Sequence, residues 1–151
     1  MKTKKILIAL DYDPTAQKVS EAGYALAIAL NAEVTLLHVV AQIVNYNTPD
    51  MAYLDISSIN LNSIETLKLV AQNFLNKTKK HLANPSIQII IKEGDSADSI
   101  LEVAAEIGAT TIVMGSHSQR WLESILMGSV TQEVLRNSTI PLHIIPTKKR
   151  D

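Results

Sequence analysis

A doubly wound α/β domain built on a five-stranded parallel sheet is the fold this sequence predicts, on three observations. Short, almost unbroken apolar runs alternate with segments of helical periodicity along the whole chain. Runs such as KILIAL and TTIVM lack the polar alternation of a half-exposed strand, so they read as strands buried on both faces. The 151 residues fit one domain, 1–151, with no repeat, linker or low-complexity stretch dividing it. Such alternation implies right-handed crossovers between parallel strands, with helices on both faces. The pattern leaves the strand order open between 3-2-1-4-5 and 2-1-3-4-5. We take 3-2-1-4-5.

KKILIAL is the first strand, ending in the polar cluster DYDPT. Asp13 before Pro14 predicts a helix start. Val19, Ala22, Gly23, Leu26, Ala29 and Leu30 follow at helical spacing. EVTLLHVV is the second strand. Residues 41–60 show no period and contain Pro49 with several Asn, Ser and Asp, which predicts a long loop of the kind that often carries function. Ile64, Leu67, Ala71, Phe74, Leu75 and Leu82 mark a long amphipathic helix capped near Asn62 and closed by Asn84-Pro85. SIQIIIKEG is the third strand. A third helix follows, with Ser96 as cap, Ile100, Leu101, Ala104 and Ile107 as buried stripe, and Gly108 as stop. TTIVMG, SVTQEVLRN and IPLHIIP supply the fourth strand, fourth helix and fifth strand.

Composition narrows the function. A net charge of −1 leaves no electrostatic footprint for nucleic acid or a membrane surface, so neither partner is expected. The basic tail Lys148–Arg150 reads as solvated. With no cysteine there is no disulfide scaffold, zinc–thiolate site or thiol chemistry. The apolar part of the N-terminus, Ile6–Leu10, is too short for a signal peptide or a span, so a cytoplasmic location is expected. His38, His81 and His143 fall on separate elements without ligand spacing, so no metal cluster is expected of them. His38 reads as a core residue, and His81 as a cation suited to a helix end.

In an open α/β sheet, ligands bind beyond the carboxyl ends of the strands where the winding reverses. With the order taken here, that point lies between strand 1, ending ALDYD, and strand 4, ending MGSHS. Five glycines serve the whole chain, and two, Gly115 and Gly128, flank the segment leaving strand 4. Gly115 allows close backbone approach or a positive φ. Gly128 and Ser129 open a helix whose unpaired N–H groups and positive dipole end suit a phosphate, and Ser129 and Thr131 add hydroxyl donors. The P-loop and G-x-G-x-x-G patterns are absent.

The segment GSHSQRWLESILMGS resembles the signature of the universal stress protein family: glycine, two residues, glycine, nine residues, glycine, then Ser or Thr. Gly115 matches the first glycine, and Gly128 with Ser129 the last pair. KILIALDYD, VTLLHVV, EGDSADSILEVAAEIGATTIVMGSHS and VLRNSTIPLHIIP extend the resemblance over the chain. The middle glycine is Ser118 here; if a positive φ is required there, serine costs on the order of 1 kcal/mol.

In that family the motif lines an ATP site. The resemblance implies that Ala9, Leu10 and Asp11 meet adenine and ribose, Val39 walls the base, and Met114 and Gly115 border the ribose. Ser116, His117, Ser118, Gly128, Ser129, Val130 and Thr131 would surround the phosphates. It further implies an ATP, ADP or AMP ligand with Mg²⁺ or Mn²⁺, and a homodimer through the edge strand Ile140–Ile145. An open apolar edge independently invites pairing. Trp121, Leu122, Ile125 and Leu126 read as packing of the intervening arch, and Arg120 as solvated.

The expected function is a nucleotide-binding stress-response regulator that switches conformation. No convincing set of clamped charges for phosphoryl transfer is present, so at most slow hydrolysis is expected. Three alternatives stand beside it. The first is a family member that binds no nucleotide and acts through protein partners. The second is a phosphorylation receiver using Asp11 and Asp13 for metal, Asp95 as acceptor, Ser116 as switch and Lys148 as charge partner, although Asp95 is better placed to start a helix. The third is a serine hydrolase, which lacks its G-x-S-x-G elbow here.

Overall fold

The computed structural model describes residues 3–41, 56–116 and 127–147. The chain runs β1 (Lys5–Ala9), α1 (Ala16–Leu30), β2 (Glu33–Val40), α2 (Ile56–Leu82) and β3 (Gln88–Glu93). It continues through α3 (Ser96–Ile107), β4 (Thr111–Gly115), α4 (Ser129–Asn137) and β5 (Leu142–Ile145). All five strands are parallel, in the order β3-β2-β1-β4-β5. The winding taken from the sequence is the one observed.

β1 is the central strand, and its period of two decides where both cores lie. Ile6, Ile8 and Leu10 point to one face, where Ala16, Val19 and Ala27 of α1 and Leu75 of α2 cover them. Leu7 points to the other, against Ala97, Ile100, Val103 and Ala104 of α3 and Val134 of α4. Ile6, Leu7 and Ile8 are wholly buried, and each contributes roughly 1.5–3 kcal/mol by leaving water. A strand covered on both faces has no polar side to show, which is why KILIA reads as an unbroken apolar run.

Helix ends differ from the sequence expectation at three places. α1 begins at Ala16; Asp13 and Pro14 belong to the preceding turn, where Asp13 Oδ1 accepts from the Thr15 amide at 2.7 Å. The cap of α3 is Asp95, whose carboxylate accepts from the Asp98 amide at 3.0 Å, and Ser96 is the first helical residue. α2 starts at Ile56, so it passes through Asn62 and takes in the end of the expected 41–60 loop; residues 42–55 lie outside those described. Gly108 does terminate α3, with φ 69°, while the Ala109 amide reaches back to the Ala104 carbonyl at 2.9 Å.

The helical stripes are shifted slightly from expectation. In α1, Ala27 is buried while Ala29 and Leu30 are exposed. In α3, Val103 is the deepest residue, and Leu101 and Ile107 are only half-buried. α1 and α2 also meet at their surface: His81 Nε2 lies 2.7 Å from Glu21 Oε1. That bond, with a second from Gln17, holds the Glu21 carboxyl below its ordinary range.

Gly23 lets α1 lie close on the sheet. A Cβ there would stand 2.7 Å from Ile8 Cδ1 and 3.1 Å from Val113 Cγ1, and both side chains are fully buried. Overpacking therefore outweighs the gain in helix propensity. Gly23→Val is expected to lower the unfolding free energy by about 2 kcal/mol, read as a reduced urea midpoint at unchanged m-value.

Candidate functional site: the cleft at the sheet's winding reversal

β1 and β4 are neighbours, with Ile8 opposite Val113, but their chains leave in opposite senses. β1 continues into α1 on one face, and β4 leads to α4 on the other. The divergence opens a small cleft with a cavity volume of about 50 Å³. Ala9, Leu10 and Asp11 enter from β1 and its exit, Leu37 and Val39 from β2, and Met114 and Gly115 from β4. Gly128, Val130 and Thr131 come from the start of α4, Ser96 and Ile100 from α3, and Asp13, Thr15, Ala16 and Val19 from the α1 side.

Nine of the expected site residues thus meet in one cleft. Two others stand elsewhere. Ser116 is buried, and its Oγ accepts from the Thr147 amide at 3.0 Å and lies 3.2 Å from the Thr147 hydroxyl. Ser129 is exposed and lines a separate hollow beside Asp95 and Glu133. His117 and Ser118 lie outside the described residues, as do Arg120, Trp121, Leu122, Ile125, Leu126 and the Lys148–Arg150 tail.

The floor of the cleft is stitched by main-chain bonds. The Ser116 amide donates to the Ile145 carbonyl at 2.9 Å, and the Gly128 amide donates to the Ser116 carbonyl at 2.6 Å. Thr131, only 4% exposed, donates its hydroxyl to the Gly115 carbonyl at 2.8 Å. Its proton is therefore used in holding α4 on β4, and only its lone pairs remain for other use. Gly128 occupies the cap position of α4 with φ −66° and no side-chain cap. The first turn of α4 thus presents amides and a positive dipole end at the cleft without a competing side chain. The left-handed glycines are Gly94 and Gly108, so a positive φ is not what Gly115 or Gly128 contributes.

The opposite wall is apolar, formed by Leu37, Val39 and Ile100. Among the described lining residues the charged ones are Asp11 and Asp13; no lysine or arginine is present. His38, expected in the core, is only half-buried and belongs to neither core cluster. Its Nδ1 sits 2.7 Å from the Leu10 carbonyl, which can only accept, so Nδ1 carries the proton. Phe74 packs edge-on against the His38 ring and the Tyr12 ring, fixing the exit of β1. Asp95, Asp98 and Glu133 form an exposed acidic trio with oxygens within 4.8 Å of one another. Asp95 is occupied as a helix cap and is absent from the lining of the β1/β4 cleft, so the three acids of a receiver site are not assembled.

Residues 2–146 match the Universal stress protein family. The chain belongs to this family. Universal stress protein MJ0577 of Methanocaldococcus jannaschii is 31% identical, with 96% of each chain covered. Universal stress protein YxiE of Bacillus subtilis is 28% identical over 93% of this chain and 97% of its own. The solved structure of MJ0577 superposes with a TM-score of 0.80 over 99% of this chain and all (100%) of that one, at 28% identity. A universal stress protein solved in complex with cAMP gives a TM-score of 0.63 at 18% identity, covering 98% of this chain and 100% of that one. This universal stress protein accordingly shares its family's fold from first strand to last.

Several lining residues of this universal stress protein escape the sequence reading. Leu37 is within its reach, since it stands two residues from Val39 on the same side of β2. Ser96 and Ile100 reach the cleft only because α3 packs beside it, and nothing local signals that. The Thr131 bond is open to direct test. Thr131→Val keeps the shape and leaves the Gly115 carbonyl without this donor, and a stability loss of about 1–2 kcal/mol is expected in urea unfolding.

Proposed function

We propose that this universal stress protein binds an adenine nucleotide in the β1/β4 cleft and acts as a conformational regulator. The observation that carries the reading is the pairing, in one cleft, of an apolar wall with a helix N-terminus that no side chain caps. Leu37, Val39 and Ile100 suit the face of a base. The amides of α4's first turn suit phosphate oxygens. The cAMP-bound family structure supports an adenine nucleotide as the ligand class. ATP is the expected ligand, with ADP or AMP as alternatives, and Mg²⁺ or Mn²⁺ as the ions that would accompany the phosphates. With no lysine or arginine among its described lining, the cleft offers little to stabilise a phosphoryl-transfer transition state. Turnover is at most slow, and switching between conformations is the function. No helix among the described residues is long and apolar enough to cross a membrane, in keeping with action in the cytoplasm.

Purified protein denatured by heat is expected to release adenine nucleotide, and calorimetric titration of stripped protein with Mg-ATP to give a saturable isotherm. Val39→Asp places a charge on the base wall and should weaken binding by roughly tenfold or more. Protein that releases no nucleotide and gives no isotherm would instead be the family member that works through partners alone.

The β5 edge supports a second part of the reading, a homodimer through residues 140–145. Among the described residues β5 has one sheet neighbour, β4, which leaves the main-chain groups of its other edge open to pairing, and Leu142 and Ile144 on this strand are only half-buried in the single chain. Ile144→Asp is expected to shift the sedimentation profile from dimer to monomer with the far-ultraviolet spectrum unchanged. A dimer that persists would move the interface elsewhere.

A further inference from the structure

α1 and α2 cover the same face of the sheet. They touch where His81 Nε2 lies 2.7 Å from Glu21 Oε1, and Gln17 Nε2 donates to that same oxygen at 2.9 Å. Between this contact and the exit of β1 lies a hollow with a cavity volume of about 580 Å³, against about 50 Å³ in the β1/β4 cleft. Tyr12, Pro14 and Ala16 bound it on the β1–α1 side. Phe74, Lys77, Thr78 and His81 bound it on the other, at the i, i+3, i+4, i+7 spacing of one helix face. A hollow of this size suits a small organic molecule.

Its apolar part is aromatic. The Tyr12 and Phe74 rings meet edge-on, with centroids 5.1 Å apart. Phe74 is half-buried, whereas Tyr12 is 63% exposed. A flat ring laid against the pair would take that exposed area out of water.

Most polar groups around the hollow are already used. The Ser20 hydroxyl donates to the Gln17 carbonyl at 2.9 Å, and the Thr78 hydroxyl to the Phe74 carbonyl at 3.0 Å. Gln17 and His81 are both held by Glu21. Asp13 Oδ1 accepts from the amide and the hydroxyl of Thr15, and Oδ2 is shut off from the surface, so this carboxylate presents no bare oxygen to a ligand. Lys18, on α1, donates to the Pro146 carbonyl at 2.6 Å. Lys77 differs. It is exposed, and among the described residues its ammonium has neither an ion-pair nor a hydrogen-bond partner. Lys79 and Lys80 follow it in the last turn of α2. The charge offered to a ligand is therefore positive.

We infer that the hollow between α1 and α2 binds a small aromatic carboxylate, its ring against Tyr12 and Phe74 and its carboxylate on the Lys77 ammonium. This site is separate from the β1/β4 cleft and does not depend on a nucleotide there. The test is equilibrium dialysis of the full chain against 2-naphthoate, the neutral 2-naphthamide and the cationic 2-naphthylmethylammonium. Wild type is compared with Lys77→Met, Lys77→Arg and Tyr12→Ser. All three changes are at exposed positions, and unchanged melting temperatures establish that the variants fold.

The wild type is expected to bind naphthoate roughly fivefold or more tightly than the amide. Lys77→Met should bring the two within about twofold by weakening naphthoate alone, and Lys77→Arg should keep the preference. Tyr12→Ser should weaken both probes by roughly fivefold and leave their ratio unchanged. A wild type that binds no naphthoate would overturn the inference. Naphthoate affinity unchanged in both Lys77→Met and Tyr12→Ser would overturn it by placing the probe elsewhere on the molecule. Tightest binding of the ammonium probe would overturn it in favour of a cationic ligand facing Asp13.

Discussion

Pairing of two strands that part company is the constraint on which the rest of this molecule depends. β1 and β4 run side by side through the centre of the sheet, yet one must turn to α1 and the other to α4. Right-handed crossovers put those helices on opposite faces once the order is β3-β2-β1-β4-β5. A gap at the carboxyl end is then unavoidable, because neither exit can fill the space the other vacates. The apolar run of β1 enforces this, since only a strand with Ile6 and Ile8 on one side and Leu7 on the other needs cover from both. The candidate site is thus a by-product of core formation, and the side chains around it only decide what it holds.

Much of this is legible in the sequence, and the reasons are specific. β2 and α4 coincide with EVTLLHVV and SVTQEVLRN because their hydrophobic patterns start and stop abruptly. The cleft is legible because the winding reversal follows from topology, which alternation reveals. Helix starts are less legible. Asp95 and Ser96 are both good caps, and only the extended backbone of Asp95, with ψ 134°, decides between them. α2 begins in Ile56-Ser57-Ser58-Ile59-Asn60, where weak helix formers conceal a helix that the following two dozen residues propagate.

The chemistry of the cleft is legible by type more than by role. Thr131 reads as a donor to ligand, but its hydroxyl is spent inside the fold on the Gly115 carbonyl. Ser116 reads the same way and is tied to Thr147. Hydroxyl groups at a strand exit face two demands, an orphan carbonyl and a prospective anion, and composition cannot say which prevails. Asp13 shows the reverse case: it reads as a helix-start residue, and half of it does serve the turn at Thr15. The other oxygen is turned inward, with no hydrogen-bond donor among the described residues.

The short bond from the Gly128 amide to the Ser116 carbonyl draws the two ends of an eleven-residue excursion to a single point. Because the sheet and α4 are joined at that point, they do not register how much chain is spent between them. The clasp thus lets the sheet and α4 keep their register independently of the sequence spent between them.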